Sequence, residues 1–501
     1  MKTGSLAAFW RPIAKLLLAS SLIIGVMVVV PTSSVHTAAA TVKLTNSEQA
    51  IKRAKELNLL PEGATVTSSL DLNKEFWEIE YKLHNQRGEI WLSNETGELL
   101  KFYESNLDII GEGKMKVTKE QAVQVAEAFI QQLPWKLEDT WIYNPYPISE
   151  YDKEKYGDRI RFDRAHNGIR FEGNFIDVSV NVLTGTVTSY TAYWGKETFE
   201  TESSIMSYQA AAMKMYHEAT PYWHWNENTL PKKLTYSLHD YYLLNQAGQF
   251  PEALNREMPV FTDKLKPQYP LELAKLRLLS NYELELNYIN SGTGDLIKPY
   301  YQLRIKPGVP LFFQGDRPSI DANTGQWLDL INIPVIEPFP PASEWLIDAA
   351  VPPQSIKYKA AVVWNNELLE LENEPLVHQG STLLPFRELL EAMGAKVGWD
   401  SRTRVVTASK QGTTIEIPLY HDTIYINGKA QKSVPAVISK GRTYIPARVV
   451  LEAFGAKVSW NAESRLVLVS TKDDVPVLTA LELKQLRFQA YIHWLEGSLQ
   501  K

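Results

Sequence analysis

Two segments near the C-terminus of the chain have nearly the same sequence. Leu384–Asp400, LPFRELLEAMGAKVGWD, recurs 61 residues later as Ile445–Asn461, IPARVVLEAFGAKVSWN. Repetition at a fixed interval indicates two structural units of one kind that pack against each other. A catalytic site needs one asymmetric set of groups, which a repeat seldom supplies. The duplication therefore favours a structural or binding protein.

Each copy predicts a small α+β unit within residues 360–472. Pro385 and Pro446 stand where a helix begins, because proline is tolerated in the first helical turn. Gly394 and Gly455 stand where a helix ends. Alternating strands flank each helix. At equivalent places after the glycines we expect two tryptophans, Trp399 and Trp460, to fill the core of their units.

A weaker repeat occupies residues 42–331 and begins each time with an amphipathic helix. The segments Thr45-Asn-Ser-Glu48 and Thr118-Lys-Glu-Gln121 predict capping boxes, in which the first and fourth residues satisfy each other's free N–H groups. A third helix is predicted near Ser207, without such a box. Strands with alternating apolar residues follow the helices.

The strands of this repeat end in hairpins with a shared turn. Its glycine provides the positive φ that such turns need, and the three copies are Asn94-Glu-Thr-Gly97, Val182-Leu-Thr-Gly185 and Asn323-Thr-Gly325. Two or three helix-plus-antiparallel-sheet units are therefore expected. Their predicted bounds are 42–110, 114–200 and 203–331.

The first 40 residues are typical of an export signal. Lys2, Arg11 and Lys15 precede an apolar run of 15 residues, Leu16–Val30, and small residues follow at 38–40. Spanning a bilayer takes about 20 apolar residues, so residues 1–40 predict a signal peptide. An uncleaved N-terminal anchor is the alternative. Either makes the protein secreted or bound at the cell surface.

Two further segments connect or end the units. Residues 332–358 are rich in proline, which stiffens the chain, and predict a semi-rigid linker. Residues 473–501 predict one amphipathic helix that packs on the last domain or meets a partner.

Composition limits the possible functions. The chain of 501 residues is long enough for several domains, and its net charge of −6 with scattered basic residues argues against nucleic acid as a partner. The absence of cysteine excludes disulfides, thiolate catalysis and cysteine-based zinc sites. It is consistent with an exported bacterial protein.

Catalytic and metal-binding motifs are missing from the sequence. The nine histidines form no His-Glu-x-x-His or His-x-His pattern. The spacing of His217 and His224 could place both on one helix face, but Pro221 would break that helix. Nucleophile-elbow, phosphate-loop and dinucleotide motifs are also missing. We expect no enzyme activity, cofactor or metal. A hydrolase needs only two carboxylates, and that alternative stays open.

Aromatic residues are the best sequence indication of a binding surface. The chain has 14 Trp and 24 Tyr. Such side chains are enriched where proteins bind partners, and they also fill thin cores. The predicted partner-binding residues are Tyr222, Trp223, Trp225, Tyr300 and Tyr301.

The duplicated segment resembles the copper amine oxidase N-terminal-like domain, also called the stalk domain, which occurs in exported proteins of Gram-positive bacilli. The match rests on Pro385, Arg387, Gly394 and Trp399 and on their twins. In the oxidases the chemistry belongs to a separate catalytic domain. Asn281-Tyr282-Glu283 spells the tripeptide from which that domain makes its quinone, but the downstream His-x-His pair is missing.

Residues 42–331 resemble the YcdB/YcdC repeat, a relative of PepSY domains. The second copy carries the pattern best, with Arg161-Phe-Asp-Arg164, Asn167-Gly-Ile169, Ile176–Asn181 and Thr184-Gly185. PepSY domains restrain secreted metallopeptidases within propeptides. The resemblance implies binding of a protein or peptide, and it transfers no catalytic residues.

Together these observations predict an exported, non-catalytic α+β protein of the cell envelope. Two or three PepSY-like repeats would bind a protein or peptide partner, and the tandem stalk-like units would display them. The alternatives are regulation or inhibition of a secreted metallopeptidase and binding of cell-wall glycan.

Overall fold

A helix over an antiparallel sheet makes up the first unit. The computed structural model describes residues 42–106, 117–133, 140–144, 158–193, 195, 197–200, 205–226, 233–238, 243–245, 267–289, 296–307, 309, 319–328, 334–335 and 340–499. The elements of this unit are α1 (Ser47–Glu56), β1 (Thr65–Leu70), β2 (Phe76–Leu83), β3 (Gln86–Ser93) and β4 (Leu99–Asn106). Consecutive strands pair antiparallel. The predicted export signal at 1–40 lies outside the described residues.

The cap of α1 differs from the sequence prediction by one residue. The side chain of Asn46, not Thr45, accepts the backbone N–H of Gln49. The side chain of Gln49, not Glu48, reaches back to the N–H of Thr45, at 2.9 Å. Asparagine is among the strongest capping residues, which explains the shift.

The second unit repeats the first and joins its sheet. Its elements are α2 (Lys119–Gln132), β5 (Thr140–Asn144), β6 (Asp158–His166), β7 (Ile169–Asn181) and β8 (Thr186–Tyr193). The capping box between Thr118 and Gln121 is confirmed. Because β4 pairs with β8, the two units form one continuous sheet. Helices α1 and α2 share one core with a single face of that sheet.

The third unit is more elaborate than the sequence predicts. Its elements are β9 (Thr198–Phe199), α3 (Tyr208–Glu218), β10 (Tyr222–Asn226), β11 (Lys233–Ser237), β12 (Leu243–Asn245), α4 (Leu271–Leu279), β13 (Tyr282–Ile289), β14 (Leu296–Ile305), β15 (Ser319–Asp321) and β16 (Trp327–Leu328). Helix α3 begins where it is predicted, and Ser207 caps it. Strand β13 runs parallel to β7 and extends the large sheet, whereas β10, β11, β15 and β16 form a second sheet.

The three predicted glycine turns have the same geometry. Gly97, Gly185 and Gly325 have φ of +67°, +78° and +72°. Each donates its N–H to the carbonyl four residues earlier, over 2.7 to 2.9 Å. In the third copy, the segment just before α4 packs on this turn, because the backbone N–H of Tyr269 donates to the carbonyl of Ala322. Of the two helices α3 and α4, the sequence predicts only α3.

The proline-rich interval 332–358 contains a buried helix, which differs from the predicted linker. Helix α5 (Glu344–Ala350) buries Trp345, Leu346 and Ile347 at 2% exposure or less. The indole N–H of Trp345 donates to the carbonyl of Tyr282 over 2.8 Å. Apolar residues between the prolines therefore make this stretch part of the third unit's core.

The duplicated segment forms one domain of three small sheets. Its elements are β17 (Ala361–Trp364), β18 (Glu367–Leu369), β19 (Leu376–His378), β20 (Ser381–Pro385), α6 (Phe386–Ala392), β21 (Lys396–Asp400), β22 (Val405–Lys410), β23 (Thr413–Pro418), β24 (Thr423–Ile426), β25 (Lys429–Lys432), β26 (Val437–Ser439), β27 (Arg442–Pro446), α7 (Ala447–Ala453), β28 (Lys457–Asn461) and β29 (Leu466–Ser470). The equivalent strands β20 and β27 pair antiparallel, and α6 and α7 share one core. The two units therefore interlock.

The two tryptophans predicted to fill these cores are exposed, so that prediction is wrong. Trp399 is 43% exposed and Trp460 is 42% exposed. Both lie on strands at a sheet edge, β21 and β28. Val397 and Val458 are the last residues of these strands that pack against the core, so each strand has left the core before the tryptophan.

The C-terminal helix α8 (Ala480–Leu499) packs on the rest of the molecule. Its Leu486, Phe488 and Ala490 join the core of the third unit, beside α5. Lys484 bonds with Glu344 over 2.6 Å. Packing on the last domain is one of the two predicted alternatives; the helix contacts β18 of that domain and also joins the core of the third unit. In the part of the chain that the structure describes, no helix is long and apolar enough to cross a membrane.

Candidate binding surface

The five aromatic residues predicted from the sequence do not share one exposed groove. Tyr222, Trp223 and Trp225 lie on β10, in the small sheet, whereas Tyr300 and Tyr301 lie on β14, in the large sheet. Tyr301 is 4% exposed and donates its hydroxyl to the carbonyl of Met206 over 3.0 Å. Strand alternation puts it in the core, so its predicted role is wrong.

The remaining members of that set are less accessible than expected. Trp223 is partly buried and packs against the core of the third unit. Tyr222 and Tyr300 are half-buried. The side chain of Trp225 lies outside the described residues. Nothing in this set forms a continuous surface among the residues that the structure describes.

A different surface arises from the layered fold. Since α1 and α2 cover one side of the large sheet, the other side of its first two units carries the alternate residues of each strand. We call this surface the open face; it comprises Phe76, Glu78, Glu89, Trp91, Lys101, Tyr103, Arg161, Phe175, Asp177, Thr191 and Tyr193. Tyr103 is 42% exposed and Tyr193 is 59% exposed.

Aromatic and charged side chains are stacked at one end of the open face. The rings of Phe76 and Trp91 stack with centroids 4.3 Å apart. The ammonium of Lys101 lies 4.2 Å from the centroid of the Trp91 ring and 3.1 Å from a carboxylate oxygen of Glu89. These contacts hold four side chains in one arrangement.

A similar cluster lies at the other end of the open face. The rings of Phe175 and Tyr193 have centroids 6.1 Å apart, and the guanidinium of Arg161 lies 3.9 Å from the centroid of Phe175. Between the clusters, β4 pairs with β8, with Lys101 opposite Thr191 and Tyr103 opposite Ser189. The open face is thus a mixed aromatic and charged surface across the joint of two units.

Arginines and carboxylates on the same side of the sheet fix its strands β6 and β7. Asp163 is fully buried and accepts hydrogen bonds from Arg161 Nε at 2.8 Å, Arg170 at 3.0 Å and Asn144 at 2.7 Å. Asp177 pairs with Arg159 at 2.5 Å. Burial raises the pKa of Asp177, although the guanidinium of Arg159 opposes that shift.

A bulge in β7 links this network to the third unit. Asp163 pairs with Phe175 and Arg164 pairs with Phe171, which leaves residues 172–174 outside the register. Asn174 accepts a hydrogen bond from Arg164 over 2.9 Å. Glu172 forms an ion pair with Arg304 of β14.

The chemistry of the network is structural rather than catalytic. Its carboxylates Asp163, Asp177 and Glu197 each contact a guanidinium, which suits fixed geometry more than proton transfer. Among the described residues, no group of three or more His, Cys, Asp or Glu side chains could hold a metal ion.

Comparisons with known families agree with these two parts of the molecule. Residues 47–194 match the family described as YcdB, YcdC repeated domain. Residues 363–469 match the family described as copper amine oxidase N-terminal domain. Over these two segments the chain is similar to the two families. Both resemblances expected from the sequence are confirmed over these residues, and that of 203–331 stays a prediction.

The comparison with solved structures gives a further match. A solved structure described as the Bacillus megaterium YpeB C-terminal domain is 14% identical, with 57% of this chain and 96% of that chain covered and a TM-score of 0.28. A search of curated proteins finds no match.

The family bounds place the candidate surfaces. The segment that matches the YcdB/YcdC repeated domain contains the open face and the Asp163 network. The segment that matches the copper amine oxidase N-terminal domain contains the exposed Trp399 and Trp460. Tyr282, in the tripeptide that resembles a quinone motif, lies outside both matches, and it is 7% exposed in the core of the third unit.

The sequence held one usable signal for the open face. Along β2 and β3, polar or aromatic residues alternate with the buried Ile79 and Ile90. Trp91, Tyr103 and Tyr193 stand on the polar side of that alternation, where large aromatic residues have no core to fill.

Proposed function

We propose that this protein is exported, works without catalysis in the cell envelope, and binds a protein or peptide through the open face of its YcdB/YcdC repeated domain. One observation carries the proposal: Tyr103 and Tyr193 are exposed by 42% and 59% on adjacent strands of the sheet. Exposed aromatic residues on a fixed scaffold are typical anchors of protein interfaces.

The surroundings of the two tyrosines support the same proposal. Lys101, Glu89 and Arg161 provide charges of both signs beside the rings. An interface of this kind has aromatic anchors and a polar rim. In the proposed arrangement the copper amine oxidase N-terminal domain displays the binding domain at the envelope.

A comparison of two tyrosine substitutions tests the proposal. The full chain is used to capture partners from exported proteins, and the double variant Tyr103→Ser/Tyr193→Ser should lose a partner that the unchanged chain retains. Tyr420→Ser is the matched control, because Tyr420 is 55% exposed in the other domain. A partner that the double variant still captures would argue against the open face as its site.

The finer form of the proposal is regulation of a secreted metallopeptidase, which the PepSY-like resemblance implies. Purified chain should then slow hydrolysis by such a peptidase, and the double variant should restore its rate. If micromolar concentrations of the chain leave the rate of hydrolysis unchanged, the proposal of peptidase regulation is wrong and that of protein binding remains.

Binding of cell-wall glycan is a second candidate, favoured by Trp399 and Trp460. Both are exposed at equivalent positions, next to Asp400 and Asn461. An indole has an apolar face and an N–H, which suits sugar rings. The full chain should sediment with purified peptidoglycan, and Trp399→Ala/Trp460→Ala should abolish this. Tyr425→Ala, in the same domain, is the control, and sedimentation of the double variant would contradict the proposal.

A further inference from the structure

A cavity of about 230 Å³ opens between the C-terminal helix α8 and the first strands of the copper amine oxidase N-terminal domain. One wall comes from β17 and β18 with the loop that follows, and the other comes from α8. Helix α8 lies outside the residues matched to the family, 363–469. The cavity therefore belongs to this chain's own arrangement of helix and domain.

The floor of the cavity is apolar and well defined. It includes Val362, Leu368 and Ala490, of which Val362 is fully buried and Ala490 is 3% exposed. Pockets that hold drug-sized ligands measure roughly 300–1,000 Å³. A smaller cavity of this shape suits one long side chain.

Carboxylates stand at the mouth of the cavity. Glu372 and Glu374 are both among its lining residues. The backbone N–H of Glu372 donates to Glu388 over 2.9 Å, and the carboxylate of Glu374 accepts the N–H of Lys359 over 3.3 Å. These bonds hold the loop beside the cavity, where Glu372 and Glu374 are both exposed.

The helix wall supplies an aromatic face that suits a cation. Trp494 lines the cavity, and the ammonium of Lys357 lies 6.0 Å from its ring centroid. That distance is at the limit of cation–π attraction. Lys357, Lys359, Arg465 and Arg487 are nearby cations, and none of the four lines the cavity.

We propose that this cavity binds the side chain of a lysine presented by a peptide. Its methylene groups would contact Leu368 and Leu369, which line the cavity and are half-buried, and its ammonium would meet Glu372, Glu374 and the Trp494 ring. Charge complementarity selects the occupant, because an apolar floor below two carboxylates matches an alkyl chain with a cationic end. This site is separate from the open face and does not depend on the function proposed for it.

Gly497 provides a way to close the cavity without disturbing the fold. It lines the cavity, and a Cβ built on it would have no atom within 4 Å. Leucine is also a better helix former than glycine. Gly497→Leu should therefore place a side chain in the cavity while α8 stays folded.

Calorimetric titration of the full chain tests the proposal. The probe is an acetylated, amidated pentapeptide with one central lysine among alanines, and the matched probe has norleucine in place of the lysine. The lysine peptide should bind, and the norleucine peptide should bind roughly tenfold more weakly or not at all. Glu372→Gln/Glu374→Gln should weaken binding of the lysine peptide by a similar factor.

Two variants separate this site from any other acidic surface. Gly497→Leu should abolish binding, whereas Glu496→Gln, on the same helix but outside the cavity lining, should leave it unchanged. Equal binding of the two peptides, unaltered binding by Gly497→Leu, or no binding of the lysine peptide at millimolar concentration would each overturn the proposal.

Discussion

The guanidinium of Arg277 donates a hydrogen bond of 2.7 Å to the carbonyl of Gly325. Arg53 makes the same contact with Gly97, over 3.2 Å. Each arginine is the seventh residue of its helix, α4 or α1. The bond ties the helix to the turn between the unit's last two strands. It identifies α4 as the helix that serves the third unit as α1 serves the first.

Replacing Gly325 by alanine should destabilise the third unit strongly. The residue has φ of +72°, and an added Cβ would lie 2.1 Å from the ring of Tyr269. That ring is held by a hydrogen bond from Arg277 to its hydroxyl, at 3.1 Å. We expect the loss to exceed the roughly 1–2 kcal/mol that a left-handed conformation alone costs. Hydrogen exchange of residues 319–328 measures it.

Gly412→Ala is the matched control for that prediction. Gly412 has φ of +83°, but an added Cβ would meet nothing within 4 Å. It should show only the conformational cost. Equal destabilisation by the two variants would mean that Tyr269 moves aside and that the turn is not tightly packed.

Removing the carboxylate of Asp163 should destabilise the second unit by about 3–5 kcal/mol. The loss leaves Arg161 and Arg170 without their buried counterion, and unpaired buried charges are costly. Urea unfolding of Asp163→Leu measures the effect. The control is Glu95→Ala, because the Lys43–Glu95 pair is about 60% exposed on both sides and should contribute at most about 1 kcal/mol. A loss of stability below about 1 kcal/mol for Asp163→Leu would contradict the role of the network.

Local patterns predicted the elements of this fold well. The capping residues Thr118 and Ser207 mark the starts of α2 and α3, and the turn glycines Gly97 and Gly185 have the positive φ expected of them. These features depend on residues within one turn of each other. A single sequence shows them directly.

Features that depend on distant residues were not predictable in this way. Trp399 looks like a core residue in its own segment, and only the edge position of β21 leaves it exposed. The open face depends on β4 pairing with β8 of the next unit. Helix α5 looked like linker because its prolines flank the buried Trp345, whose partner Tyr282 is 63 residues away.

Raising the pH should remove the destabilisation that comes from burying the charged form of Lys306. Burial lowers the pKa of this residue to about 8, and the carboxylate of Glu283 opposes the shift. The unfolded chain, with an ordinary lysine pKa of 10.5, binds more protons than the folded chain between pH 8 and 10.5. The contribution of Lys306 to the free energy of unfolding therefore rises with pH across that window.

Lys306→Met should remove this dependence. Urea unfolding at pH 7.0 and 9.5 should show the stability of the unchanged protein rising relative to that of the variant. Lys298→Met, at an exposed position of β14, controls for the loss of a positive charge. A difference that stays constant between the two pH values would show that Lys306 keeps its proton in the folded protein.

The change in stability on substituting Arg487 should depend more on the volume of the new side chain than on its charge. This side chain of α8 is 1% exposed and approaches Asp348 and Glu463 at 3.5 Å, while its Nε has no hydrogen-bond partner among the described residues. Since Asp348 is 43% exposed and Glu463 is 66% exposed, water can solvate both carboxylates once the arginine is gone. Arg487→Ala should cost roughly 2–4 kcal/mol through the cavity that it leaves, whereas Arg487→Met should cost less than about 1.5 kcal/mol. Thermal unfolding compares the two, and a methionine variant as unstable as the alanine variant would show that the charge itself holds α8 in place.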